Sequence, residues 1–113
     1  DPPVPPSERL GIAEGIETAL AAARLFNMPV WAATNSTMLA KWQPPDCARE
    51  IVVFGDADPA FGGQAAAYAL AHRLAVRDRR VRVQLPPRIG SDWADVLSAE
   101  RDTKRVRRIG MVA

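Results

Sequence analysis

Glu50-Ile51-Val52-Val53-Phe54-Gly55-Asp56-Ala57-Asp58-Pro59 carries more structural information than any other stretch of this 113-residue chain. An apolar, β-branched run stops at Gly and Pro with two aspartates between them, the pattern of a strand that ends in a turn. A loop with Gly62-Gly63 leads to a helix from Gln64 to about Arg77. Ala66, Ala67, Leu70, Ala71 and Leu74 form its apolar stripe, and Arg73 and Arg77 lie i, i+4 on a polar side. Val81-Arg82-Val83-Gln84-Leu85 alternates and predicts a half-exposed strand near a sheet edge, closed by Pro86-Pro87. Asp92 to Leu97 begins a further helix.

The same alternation extends toward the N-terminus. Arg9-Leu10-Gly11-Ile12-Ala13 predicts a short strand running into Glu14-Gly15, followed by a helix over Ile16–Phe26. Ile16, Ala19, Leu20, Ala23 and Phe26 recur there at helical spacing, and Asn27 and Pro29 end it. Val30 to Thr34 is small and apolar throughout, as expected of a buried parallel strand. Asn35-Ser36 caps a short helix through Trp42, ended by Gln43-Pro44-Pro45. Strands alternating with helices predict an α/β fold of about four mostly parallel strands covered by helices.

Composition sets limits. Apolar residues make up 48% and charged residues 25%, the balance of a folded globular domain. No apolar run approaches the roughly 18 residues that span a bilayer, so no membrane segment is expected. Cys47 is the only cysteine, which excludes an internal disulfide and a thiolate zinc cluster and suits a cytoplasmic setting. The opening Asp1-Pro2-Pro3-Val4-Pro5-Pro6 reads as a linker remnant of a longer protein. The expected organisation is therefore a linker over 1–8, one domain over 9–98 and a basic tail over 99–113. Net charge is +2, with arginines at 73, 77, 79, 80, 82 and 88 and basic residues crowding the tail. Such clusters suit a phosphate backbone, or are a solvated helix face and a frayed end.

In a parallel sheet all strand C-termini share one edge, where ligand sites form. Glu14 follows the first strand, Asp56 and Asp58 the third, and Asp92 comes shortly after the fourth. Converging carboxylates repel and raise one another's pKa unless a cation relieves them or one stays protonated. Oxygen ligands without His or Cys favour Mg²⁺ or Mn²⁺, which implies phosphoryl or nucleotidyl transfer. Taken singly, each acid has a plainer reading as a turn former, a helix cap or a favourable charge at a helix N-terminus. Asn35 and Ser36 at the same edge are cap residues or phosphate contacts, and Gly62-Gly63 is a flexible turn or a phosphate-facing backbone.

Ile12-Ala13-Glu14-Gly15 followed by Val53-Phe54-Gly55-Asp56-Ala57-Asp58 resembles the Toprim signature: one apolar strand ending in Glu-Gly, another ending in Asp-x-Asp. Toprim domains occur in bacterial-type DNA primases, type IA and type II topoisomerases, overcoming-lysogenization-defect nucleases and recombination-repair proteins. The strings Glu14 to Leu20 and Gly90 to Leu97 are similar to primase-associated Toprim domains of plasmids, phages and mobile elements. The resemblance implies Glu14 as acid/base group, Asp56 and Asp58 as Mg²⁺ ligands, and Asp92 with Asp95 as a further metal-binding pair. It implies RNA primer synthesis in DNA replication, with DNA or RNA and nucleoside triphosphates as partners, beside zinc-binding and helicase-like regions of a parent protein. Two departures touch the second metal site. Thr18 stands where bacterial primases usually carry an Asp, and Asp92 and Asp95 are spaced by two residues where one is common. The alternatives are a metal-dependent nuclease, a non-catalytic nucleic-acid or partner-binding module, and a haloacid-dehalogenase-like phosphatase. The last fits poorly because the Asp-x-Asp lies on the third strand.

Overall fold

The structure is a computed structural model that describes residues 9–88 and 90–108, with residues 103–108 described by their backbone alone. In chain order the elements are β1 (Arg9–Ala13), α1 (Ile16–Phe26), β2 (Val30–Ala32), α2 (Ser36–Lys41), β3 (Glu50–Phe54), α3 (Gly62–Val76), β4 (Arg80–Gln84) and α4 (Trp93–Arg108). The four strands form a single parallel sheet in the order β2-β1-β3-β4. The two central strands are the most apolar. In β1 every residue after Arg9 is buried, and in β3 every residue after Glu50.

Because side chains alternate across a strand, each central strand supplies two layers. Leu10, Ile12, Ile51 and Val53 pack with Leu39 of α2 and with Ala67, Leu70 and Leu74 of α3. Ala13, Val52 and Phe54 pack on the other side with Ala19, Ala21 and Ala22 of α1 and with Trp93 of α4. The sheet is thus covered by α2 and α3 on one face and by α1 and α4 on the other. Phe26, Phe54 and Trp93 close the second layer as an aromatic triangle, with ring centroids 4.9, 5.3 and 5.7 Å apart. Each such pair adds about 0.5–1.5 kcal/mol beyond the area it buries.

Two sequence expectations change. The buried face of α1 is Thr18, Ala19, Ala21 and Ala22, while Ile16 and Leu20 are 61% and 64% exposed. Small side chains let this helix sit close to β1 and α4, so the larger apolar residues turn outward. Strand β2 is an edge strand pairing only with β1, and its three residues are half-buried. Helix α4 runs into the basic segment as far as Arg108.

Much of the arginine stretch holds structure together. Arg73 donates to the Trp42 carbonyl, Arg77 to Gln43 Oε1, and Arg79 to the carbonyls of Pro45 and Ala48. Arg82 and Arg9 flank Glu50, at 3.6 and 3.7 Å. These contacts clamp the segment between α2 and β3 and line the N-terminal edge of the strands, opposite to the acidic residues. Among the described residues no helix is long and apolar enough to cross a membrane.

Candidate functional site

Glu14 is the first residue past β1, Asp56 the second past β3, and Asp92 the residue before α4. Parallel pairing of β1 with β3, Ala13 opposite Phe54, sets the first two side by side at the C-terminal edge. Asp92 is brought in by its neighbours. Ala57 N–H donates to the Ser91 carbonyl at 3.2 Å, and Gly90 N–H donates to the Ala57 carbonyl. These bonds splice the loop after β4 onto the Asp56–Asp58 loop. Trp93, buried, then donates its indole N–H to the Gly55 carbonyl at 3.0 Å, pinning the start of α4 over the end of β3.

Asp56 is the electrostatic centre. Burial pushes its carboxyl above the ordinary value of 3.8, and the charges of Asp92, Glu14 and Asp58 push it the same way. A hydrogen bond with the Thr18 side chain pulls it back. Asp56 Oδ1 is buried with no hydrogen-bond partner. A buried, unsatisfied carboxylate oxygen among three more acids is unfavourable and has a natural remedy in a cation. Among the described residues no three acidic, His or Cys side chains stand close enough to hold one ion together.

Asp58 is fixed by its own loop. Its Oδ1 accepts from Ala60 N–H at 2.9 Å, and Gln64 clamps its backbone, accepting from the N–H and donating to the carbonyl, each at 3.1 Å. Gly63 permits this arrangement, because a Cβ there would stand 2.6 Å from the Asp56 carbonyl oxygen. Asp95 is used differently from the other acids. Its Oδ2 accepts from Asp92 N–H at 3.1 Å while Asp92 Oδ1 accepts from Asp95 N–H at 2.8 Å, a reciprocal cap on α4. Asp95 is exposed and is not among the charges acting on Asp56.

Sequence reasoning missed three supporting residues. Thr18 was legible only as a departure from the expected pattern, yet its side chain hydrogen-bonds Asp56. Gln64 gave a faint signal as the polar residue after a Gly pair. Trp93 lies in the helix start read from Asp92 to Leu97, but its hold on Gly55 could not be foreseen. Asn35 caps α2, its side chain accepting from Met38 N–H at 2.9 Å.

Comparison with known proteins agrees with this geometry. A Toprim domain family model matches residues 9–102. The crystal structure of a DNA primase domain from Pseudomonas aeruginosa is similar, with a TM-score of 0.58 and 23% sequence identity over 90% of this chain and 33% of that one. At that identity the likeness is one of fold, and the chain spans about a third of the length of that structure. No curated protein matches the chain. With a four-stranded parallel sheet, acids at the C-terminal ends of its central strands and a family match from β1 into α4, this chain belongs to the Toprim domain family.

Proposed function

We propose that this chain is the catalytic domain of a DNA primase-like protein that carries out Mg²⁺-dependent nucleotidyl transfer to make RNA primers. The observation that carries the reading is Asp56, whose carboxyl is raised by burial and by Asp92 and Glu14 from two other loops and Asp58 from its own, and whose Oδ1 lacks a partner. That donor set fits a hard cation. Mg²⁺ is bound through one or two carboxylates and keeps waters and substrate phosphates as its other ligands, so it needs no three-acid cluster. Asp56 and Asp58 would hold the ion, and Asp92 would add negative charge beside it. When bound, it supplies positive charge to the triphosphate and to the transition state.

The chain's own residues supply positioning and proton transfer. Gln64 and the Ala60 N–H hold Asp58 in place, and the α4 cap and Trp93 hold Asp92. Glu14 takes the proton of the attacking 3′-hydroxyl. The nucleophile belongs to the substrate, so the domain needs none of its own. Tyr68, the only tyrosine, is 56% exposed on α3.

Incubation of the protein containing this domain with single-stranded template, ribonucleotides and Mg²⁺ tests the reading. Oligoribonucleotide products are expected, and Glu14→Gln should reduce them about 10²–10⁴-fold, the usual worth of a general base. Shortened template with no synthesis would replace this reading with a nuclease. DNA retention with neither product would make the domain a binding module.

A further inference from the structure

The segment that follows Asp58 carries a feature that neither the fold nor a metal requires. Phe61 is 64% exposed, and its backbone has φ 63°, in the left-handed region. A bulky side chain adopts that region only against steric resistance, and glycine adopts it freely. A single exposed apolar residue is ordinary. An exposed aromatic ring on a strained backbone is two penalties at one position, and a glycine there would remove both.

The surrounding bonds hold the Phe61 backbone in this conformation. Phe61 N–H donates to the Asp58 carbonyl and Ala65 N–H to the Phe61 carbonyl, both at 2.9 Å, while Gln64 clamps Asp58 on both sides. The next position, Gly62, lies so close that a Cβ there would stand 3.2 Å from Asp58 Oδ2. A hydrogen-bonded loop therefore carries an exposed aromatic side chain next to the glycine that approaches the Asp58 carboxylate. Strain maintained by surrounding structure collects at ligand-binding positions.

We propose that Phe61 stacks on the nucleobase of the nucleoside triphosphate whose phosphates are engaged at Asp56 and Asp58, an inference that rests on the metal–phosphate reading above. An aromatic face accepts any base, so this contact holds a nucleotide without selecting among the four. It supplies binding that the acidic cluster cannot, because carboxylates reach the phosphates only through a cation.

The test measures binding of ATP and of inorganic tripolyphosphate to the 113-residue chain in Mg²⁺, for the wild type, Phe61→Ala and Phe61→Trp. The ring is exposed, so both variants should fold, and circular dichroism checks that they do. Phe61→Ala should weaken ATP about tenfold and leave tripolyphosphate unchanged. Phe61→Trp should keep ATP affinity and show quenched indole fluorescence on binding. Equal ATP affinity in Phe61→Ala and wild type, with tripolyphosphate still bound, overturns the stacking role and leaves the metal–phosphate reading standing. Equal weakening of both ligands also overturns it, since the loop would then be acting on the acids. Binding of neither ligand by the wild type removes the underlying reading, and this inference with it.

Discussion

Replacing Gly63 with alanine sets two effects against each other at the acidic edge. Gly63 lies in the first turn of α3, where alanine is the better helix former by up to about 1 kcal/mol, so propensity alone predicts stabilisation. The geometry predicts the reverse. The added Cβ would stand 2.6 Å from the Asp56 carbonyl oxygen, 3.2 Å from its carbonyl carbon and 3.3 Å from its Cβ. The obstacle is backbone, held on one side by the bonds between Ala57 and the Gly90–Ser91 segment and on the other by the Gln64 clamp. It cannot swing aside as a side-chain tip would. Overpacking costs about 1–3 kcal/mol, and against backbone that cannot yield the upper half of that range applies, so after the propensity gain a net loss of about 1–2 kcal/mol remains. For a domain of this size the midpoint should fall on the order of 5–15 °C in a thermal melt followed by circular dichroism. The displaced atoms are those of Asp56, so the rise in midpoint on adding Mg²⁺ should shrink as well. Magnesium at ten times its dissociation constant contributes RT ln 11, about 1.4 kcal/mol, which a melt resolves readily. A Gly63→Ala variant as stable as wild type, with an undiminished response to Mg²⁺, would refute the close approach on which this reasoning depends.

Further outcomes follow from the same site. The fold favours the neutral form of Asp56, so in metal-free buffer its ionisation costs stability in full above its raised pKa. That cost disappears as pH falls through the raised value toward the ordinary 3.8. Midpoints measured against pH should show this component in wild type and lose it in Asp56→Asn, which should also be the more stable protein at neutral pH without metal. Trp93→Phe keeps most of the packing but strips the Gly55 carbonyl of its donor, and should cost about 1–3 kcal/mol in chemical denaturation. Asp95→Ala removes half of the α4 cap and should cost about 1 kcal/mol in the same assay. Its Mg²⁺ affinity, measured by calorimetry, should change far less than that of Asp58→Ala.

The sheet and its acidic edge were legible in the sequence because both rest on short-range patterns. An apolar run ending in Glu-Gly and another ending in Asp-x-Asp mark strand ends, and parallel pairing carries those ends to one side. Features decided by packing across the molecule were not legible. Periodicity put Ile16 and Leu20 on the inner face of α1, but close packing against β1 and α4 selected the smaller residues. The apolar Val30–Ala32 looked central because composition carries no information on how many neighbours a strand has. The arginine stretch suggested phosphate binding, yet Arg73, Arg77 and Arg79 hold the carbonyls and amide of the segment leading to β3. Resemblance assigns Asp95 to a metal-binding pair despite a spacing that departs from that pattern, and its i, i+3 relation to Asp92 makes a helix cap. Thr18 and Phe61 carry meaning only once Asp56 and Asp58 have been placed beside them.

A titration of the isotope-labelled chain with Mn²⁺, followed by NMR, tests the acidic edge most directly. Paramagnetic broadening should begin at the amides near Glu14, Asp56, Asp58 and Asp92, spare the Arg73–Arg80 end of the molecule, and be lost in Asp56→Asn. Broadening that is centred elsewhere, or that persists unchanged in Asp56→Asn, would show that the gathered carboxylates do not form a cation site.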